Sequence, residues 1–432
     1  MTALQVLRSG TPEATEALDR LTRRAEEVLD PATLAGAADI LARVRREGDD
    51  GLLELARRLD GADAASVADL ALRPFEGDLD GFVLPNGFAE ALGRAIDAVG
   101  EFHRPQVRSG YVMERDGVEL EERATPLRRV GVYVPGGRAS YPSTVVMTVV
   151  PAQVAGVREI AVATPAGSYL SNAALRYTLA RLGVQEVWGI GGAQAVAAFA
   201  YGTATIRRVD KIVGPGNAWV TAAKKLVVGD VAIDGIAGPS EVVIVADSGS
   251  DPALVAADLL AQAEHDPLAA AVLITPDEAL ARAVAGEIEE QLGELSTAEI
   301  ARESLRRFGL ALVVQDLEEA LEAVERIAPE HLQLVGPGAE RLAWRVVAAG
   351  AIFMGADTPE AFGDYIAGPS HVLPTCGSAR FASALGVEDF LRRSHRVRFT
   401  AEAARRDAWA AAVLAEAEGL PAHQASAERR RG

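Results

Sequence analysis

Gln262 and His265 stand three residues apart near the end of a stretch, Ala237 to Pro267, that reads as a glycine turn, a buried strand, a loop and a helix. On a helix that spacing projects both side chains from one face. An oxygen donor and an imidazole nitrogen on one face make half of a divalent-metal site; a polar helix end bonding its own carbonyls is the other reading. Four of the six histidines have such company: Gln262 with His265, Glu330 with His331 after Pro329, Asp364 with His371, and Glu418 with His423. An adjacent Glu-His pair offers two bases with separate tasks, one taking an alcohol proton and one activating water. Each pair taken singly also fits a structural role. His103 and His395 are expected to be hydrogen-bonded structural residues. Cys376 could attack an aldehyde as a thiolate, but no neighbour in sequence lowers its pKa, so a buried inert thiol is expected.

The elements that must position these groups are legible in the patterning. Val242 to Ala246 is a continuous apolar run, as in a parallel strand covered on both faces. Ser250 or Asp251 caps a helix with Pro252 in its first turn, Leu254, Ala257 and Ala261 form its apolar stripe, and Pro267 stops it. Residues 12–60 carry helical periodicity, with Asp30-Pro31 as a helix start. A helix is expected over Leu84–Phe102 and a strand over Val118–Ala124, leading into Arg129–Pro135. From there to about Asp234 strands and helices alternate, and a second series (EVVIVAD, AAVLIT, ALVVQD, HLQLV, GAIFMG) starts at Glu241. Such alternation implies parallel sheets with right-handed crossovers. About ten strands are many for one open sheet. The fold class is therefore α/β, with two parallel-sheet, incomplete Rossmann-like domains, one inserted in the other, and a small helical C-terminal region.

The expected boundaries are an N-terminal helical segment at 1–30, a larger domain from 31–134 and 239–384 carrying the metal and acid/base candidates, a second α/β domain at 135–238, and a C-terminal region at 385–432. Patterning stops for about 20 residues after Gly355, a length that inside a compact domain is usually functional. Helical segments are expected near Val387–Arg393 and Ala401–Glu418.

With 432 residues, 49% of them hydrophobic and 24% charged, this is an ordinary globular composition. The net charge of −18 argues against non-specific nucleic-acid binding, which needs cationic patches. A lone cysteine excludes an internal disulfide or a cysteine metal cluster and fits the cytoplasm. MTALQVLRSG lacks the features of a signal peptide. The uncharged windows Ala139–Val157 and Val187–Ile206 are broken by prolines or glycines, so neither is expected to span a membrane.

Three glycine turns follow strands, where α/β proteins bind phosphates: Pro135-Gly136-Gly137, Gly189-Ile190-Gly191-Gly192 and Gly214-Pro215-Gly216-Asn217. None completes G-x-G-x-x-G, because Gln194 and Trp219 occupy the third glycine positions of the last two. Nucleotide binding and tight turns without a ligand both stay open on spacing alone.

The segments RVGVYVPGGRASYPSTVVM, GIGGAQAVAAFAYGT, DKIVGPGNAWVTAAKK, AGPSEVVIVAD, DLLAQAEHDP, APEHLQL, GDYIAGPSHVLPT and EGLPAH occur together and in order from about residue 129 to 423. In that combination the chain resembles the histidinol dehydrogenase family. The resemblance implies a zinc-dependent homodimer that oxidises L-histidinol to L-histidine through the aldehyde with two NAD⁺. By motif position it implies one Zn²⁺ per subunit held by Gln262, His265, Asp364 and His423, with Glu330 and His331 as catalytic bases. It implies substrate contacts at Ser240, Gln262, His265, His331, Asp364, His371, Glu418 and His423, and NAD⁺ contacts at Tyr133, Gln194 and Asn217. Glu418 and His423 would complete the site of the partner subunit. Ser370, Trp219 and Gly235 depart from the usual asparagine, tyrosine and methionine, which puts fine substrate fit in question more than reaction class. A related NAD- and zinc-dependent dehydrogenase of another small amino-alcohol or diol is the alternative.

Overall fold

The computed structural model describes residues 3–24, 29–72, 79–136 and 141–432; the tip of the first glycine turn, at Gly137, lies outside them. Two six-stranded sheets carry the chain. The first runs in space Ala71–Leu72, Glu186–Gly189, Glu159–Thr164, Arg129–Tyr133, Lys211–Val213 and Ala232–Ile233, parallel except at its first pair. The second runs Gln5–Arg8, Leu310–Val313, Ala270–Thr275, Glu241–Ala246, His331–Val335 and Ala351–Met354, parallel throughout. A small antiparallel sheet joins Gly110–Arg115, Val118–Pro126 and Leu391–Phe399.

Strand side chains alternate between faces, and the second sheet uses this to fill two cores. Val242 and Ile244 face the helices Pro252–Ala263 and Glu278–Leu292, while Val243 and Val245 face Pro12–Thr22 and Leu317–Ile327. Each such side chain, fully buried, contributes about 1.5–3 kcal/mol. Among the described residues no helix is long and apolar enough to cross a membrane.

The insertion of one unit in another holds, but the seams differ from those expected. Ala37, Leu41, Leu52 and Leu55 pack with Ala193–Ala200 on one face of the first sheet, and Leu92 and Val99 pack on the other. The helices between residues 31 and 103 therefore belong with 135–238, not with 239–384; Gly110–Pro126 instead pairs with Leu391–Phe399, and Arg129–Tyr133 is an interior strand of the first sheet. The N-terminal segment is not all helical either: Gln5–Arg8 is an edge strand, with Val6 and Leu7 packed against opposite cores of the second sheet. Four residues are too short a run to separate strand from helix by period.

Two more expectations are corrected. Val387–Phe390 is a single 3₁₀ turn, and Leu391–Phe399 is a strand rather than part of a helix. Its alternation is ionic, with Arg396 3.1 Å from Glu121 and His395 3.8 Å from Glu122 on the neighbouring strand, a pairing that stabilises sheets but carries no apolar signal. On the helix Pro252–Ala263 the buried stripe is Val255, Ala256, Leu259, Leu260 and Ala263, whereas Leu254 is 47% exposed.

Candidate active site

In each sheet the chain builds outward from a middle strand on one side and then returns to the other. In the first sheet that reversal falls between Arg129–Tyr133 and Lys211–Val213, and the crevice beyond the carboxyl ends of such strands is the usual ligand site. Tyr133 ends one strand and Gly214 follows the other. Gly214 has φ of +108°, and a Cβ there would stand 2.2 Å from the Tyr133 carbonyl oxygen, so only glycine fits.

The residues expected to contact NAD⁺ gather at this edge. The Tyr133 hydroxyl accepts from the Gly192 N–H at 3.1 Å, and burial pushes its pKa up to about 12. Gln194 donates to Asp60 Oδ2 at 3.0 Å, and Gly191 N–H donates to the same oxygen at 3.3 Å. Asn217 Oδ1 caps the helix Ala218–Leu226 through Trp219 N and Val220 N. Asp60, raised above the usual carboxylate range by burial, was not anticipated, since it comes from more than a hundred residues earlier. In the second sheet the matching crevice is closed by the chain itself, where Asp247 accepts the N–H groups of Gly338 and Ala339 at 2.5 and 3.1 Å.

The expected acid–base and metal residues lie at the opposite, amino-terminal edge of the second sheet. His331 opens one strand and Glu241, just after Ser240, opens the neighbouring one. The helix Pro252–Ala263, capped by Asp251, runs back so that Gln262 and His265 reach the same edge. The helix Glu360–Tyr365 brings Asp364. His265 Nε2 lies 3.8 Å from Asp364 Oδ2, and His371 Nδ1 lies 3.6 Å from Asp364 Oδ1. Burial would raise the Asp364 pKa, but the His371 ring and the nearby His331 and His265 hold it below its ordinary value. Tyr141, from the first unit, is close enough for Asp266 and Asp364 to add to the rise that burial gives its pKa.

Gln262 is wholly buried, and both its amide oxygen and its amide nitrogen lack a hydrogen-bond partner. Buried amides are nearly always paired, and a carbonyl oxygen free beside an imidazole and a carboxylate suits a divalent ion by donor chemistry. Among the described residues no three His, Cys, Asp or Glu side chains are grouped tightly enough to hold an ion by themselves. Glu418 and His423 are exposed on the two C-terminal helices, and no hydrogen bond or ion pair among the described residues links them to the cluster.

His331 is 3% exposed, and its Nδ1 lies 3.2 Å from the Glu241 carbonyl oxygen. A carbonyl only accepts, so Nδ1 carries the proton and Nε2 keeps its lone pair. Burial pushes the ring's pKa down to about 4, leaving it neutral. Glu330 is pushed well above the carboxylate range by burial and then by the Glu241 charge, and the Ser240 hydroxyl bonds it. Glu360, one helical turn before Asp364, is 1% exposed with one unpaired carboxyl oxygen, and Gln333 Oε1 is also unpaired. Neither residue, nor Arg24 or Glu241, stood out in the sequence.

Of the departures, the Ser370 hydroxyl donates to the Met147 carbonyl at 2.9 Å, a tie between the two units. A Cβ at Gly235 would meet nothing within 4 Å. Cys376 is half-buried, and burial and then the Glu241 charge push its thiol up to about 12, away from the thiolate form that a nucleophile needs.

The family model for histidinol dehydrogenase matches residues 23–431. A histidinol dehydrogenase of Synechococcus sp. is 47% identical over 97% of this chain and 96% of its own, and one of Acinetobacter baylyi is 47% identical over 94% of each. The crystal structure of histidinol dehydrogenase from Elizabethkingia anophelis superposes with a TM-score of 0.90 at 31% identity, covering 100% of this chain and 98% of that one. The chain belongs to the histidinol dehydrogenase family of oxidoreductases.

Proposed function

We propose that this protein is a zinc-dependent, homodimeric histidinol dehydrogenase that oxidises L-histidinol to L-histidine through L-histidinaldehyde, reducing two NAD⁺ in succession in the cytoplasm. The observation that carries the reading is an orphaned, wholly buried Gln262 amide at the sheet edge where His265 and Asp364 stand 3.8 Å apart, with a neutral His331 whose Nδ1 proton is held by the Glu241 carbonyl. Gln262, His265 and Asp364 would hold zinc together with His423 of the partner subunit, and Tyr133, Gln194 and Asn217 would hold NAD⁺. Bound zinc orients the substrate, and bound NAD⁺ accepts a hydride at each oxidation.

The chain's own groups then divide the proton work. His331 Nε2 takes the hydroxyl proton in the first oxidation, with its ring fixed by the Glu241 carbonyl. Glu330, whose raised pKa makes its ionised form a stronger base, removes a proton from the water that adds to the aldehyde. Once that first proton has passed to solvent, His331 Nε2 takes the hydroxyl proton of the resulting hydrate. Each such base contributes about 10²–10⁴ in rate. Ser240, His371 and the partner subunit's Glu418 are assigned to holding the substrate.

The test is stoichiometric. Purified protein with limiting L-histidinol is expected to form two NADH per substrate. Turnover of a different amino-alcohol or diol, with none of histidinol, would replace the substrate assignment; one NADH per histidinol would remove the second oxidation.

A further inference from the structure

Glu241 reaches both members of the acid–base pair with three different groups. Its carboxylate accepts the Glu330 backbone N–H at 3.0 Å, its own N–H donates to Glu330 Oε2 at 3.1 Å, and its carbonyl accepts from His331 Nδ1 at 3.2 Å. The same carboxylate accepts the Cys376 N–H at 2.9 Å. Arg24 in turn holds Glu241, with Nη1 2.8 Å from Oε2 and both side chains 3% exposed. Its Nη2 donates to the carbonyls of Pro239, Ser240 and Leu268 at 2.9, 3.0 and 2.8 Å.

Backbone strain collects around this network. Among the described residues three non-glycine residues have positive φ, and two of them, Ala328 at 51° and Cys376 at 52°, flank it. Ala328 lies two residues before Glu330, and Cys376 donates to Glu241. Side chains with a Cβ keep such a conformation only where their surroundings over-determine it, and such positions cluster at working sites. A buried ion pair is a poor device for stability alone, because apolar residues of similar volume serve as well or better. What they cannot supply is a set of acceptors for backbone N–H groups and donors for backbone carbonyls.

We propose that Arg24 and Glu241 are positioning residues for the oxidation: the pair holds the backbone at Ala328–His331 and Cys376 in the arrangement that aims Glu330 and His331 at the substrate, and so ties the N-terminal segment to the chemistry. The inference rests on the acid–base assignment made above. If the wild-type protein oxidised no alcohol, that assignment would fail; the present one is read from backbone geometry as well as from turnover.

The experiment uses the full-length, zinc-loaded enzyme. Arg24→Lys keeps the charge and loses the guanidinium fork. It is expected to lower kcat about a hundredfold, as a misplaced base does, with KM for both substrates and the zinc content near wild type. Amide hydrogen exchange should quicken at Glu330 and Cys376 and stay unchanged in the first sheet. The double variant Arg24→Met/Glu241→Leu keeps the volume but leaves the Glu330 and Cys376 N–H groups without their acceptor, and is expected to melt lower than wild type and to lose turnover to a similar extent. A merely structural pair would lower the melting temperature of Arg24→Lys but leave kcat per zinc site and those amides unchanged. That result, or a double variant with wild-type turnover, overturns the proposal.

Discussion

Glu241 and Glu330 exchange hydrogen bonds across adjacent strands, the carboxylate of each accepting the backbone N–H of the other at 3.0 and 3.1 Å. Burial, and then the Glu241 charge so close by, raise the proton affinity of Glu330, which suits it to the role of base for water.

Replacing that carboxyl with an amide isostere separates the two oxidations. Glu330→Gln is expected to slow the aldehyde-to-acid step by about 10²-fold or more, and alcohol oxidation, which draws on His331, by much less. Single-turnover assays from histidinol and from histidinaldehyde measure the two; equal losses would remove the assigned division of labour.

Asp364, His265 and Gln262 belong to one chain and His423 to its partner in the proposed site, so defects should complement. Subunits carrying His265→Ala and subunits carrying His423→Ala are each expected to be inactive. After mixing, random reassociation of a two-fold dimer yields half heterodimers with one intact site apiece, or about a quarter of wild-type activity. No recovery after verified subunit exchange would place the site within a single chain.

Gln262→Met is expected to have opposite effects on two properties. Removing a buried amide with no partner stabilises the metal-free protein by about 1–3 kcal/mol, while zinc per subunit falls. Denaturant melts of the metal-free form and metal analysis of the loaded form check each half. A metal-free variant less stable than wild type would mean that the amide has a partner of its own.

His331 also predicts how stability follows pH. Its folded pKa is about 4 against an ordinary value of 6.5, so between those values the unfolded chain binds the extra proton. Stability from this group is fully present above about pH 6.5 and is lost as pH falls through about 4, by about 3 kcal/mol in all. Urea melts at pH 7 and 5 should show a smaller loss for His331→Gln than for wild type. Buried His103, whose pKa burial also lowers, contributes equally to both proteins and cancels.

What the sequence shows and what it hides divides by distance along the chain. The Gly214 turn and the Asp251 cap are local, and each is where its pattern puts it; Gln262 is on its helix, but that helix ends at Ala263 rather than at Pro267, so His265 stands in the turn beyond it. Leu391–Phe399 was missed because its order comes from ionic partners on another strand. Asp60, Arg24 and Glu241 were missed for the same reason: Asp60 meets Gln194 134 residues on, and Arg24 meets Glu241 217 residues on. No local period marks a charge whose partner comes so much later. The side chains expected to touch ligands could be read from motifs; the buried charges that steady them could not.

The edge strand Gln5–Arg8 has a bearing on how the protein is made. Gln5 pairs with Leu310, so this strand waits about 15–60 s for its neighbour at ordinary rates of synthesis. Arg24 likewise has no carboxylate to meet until Glu241 has been added. The second sheet thus cannot close along this edge until Leu310–Val313 has been made, although Gln5–Arg8 precedes it by about 300 residues.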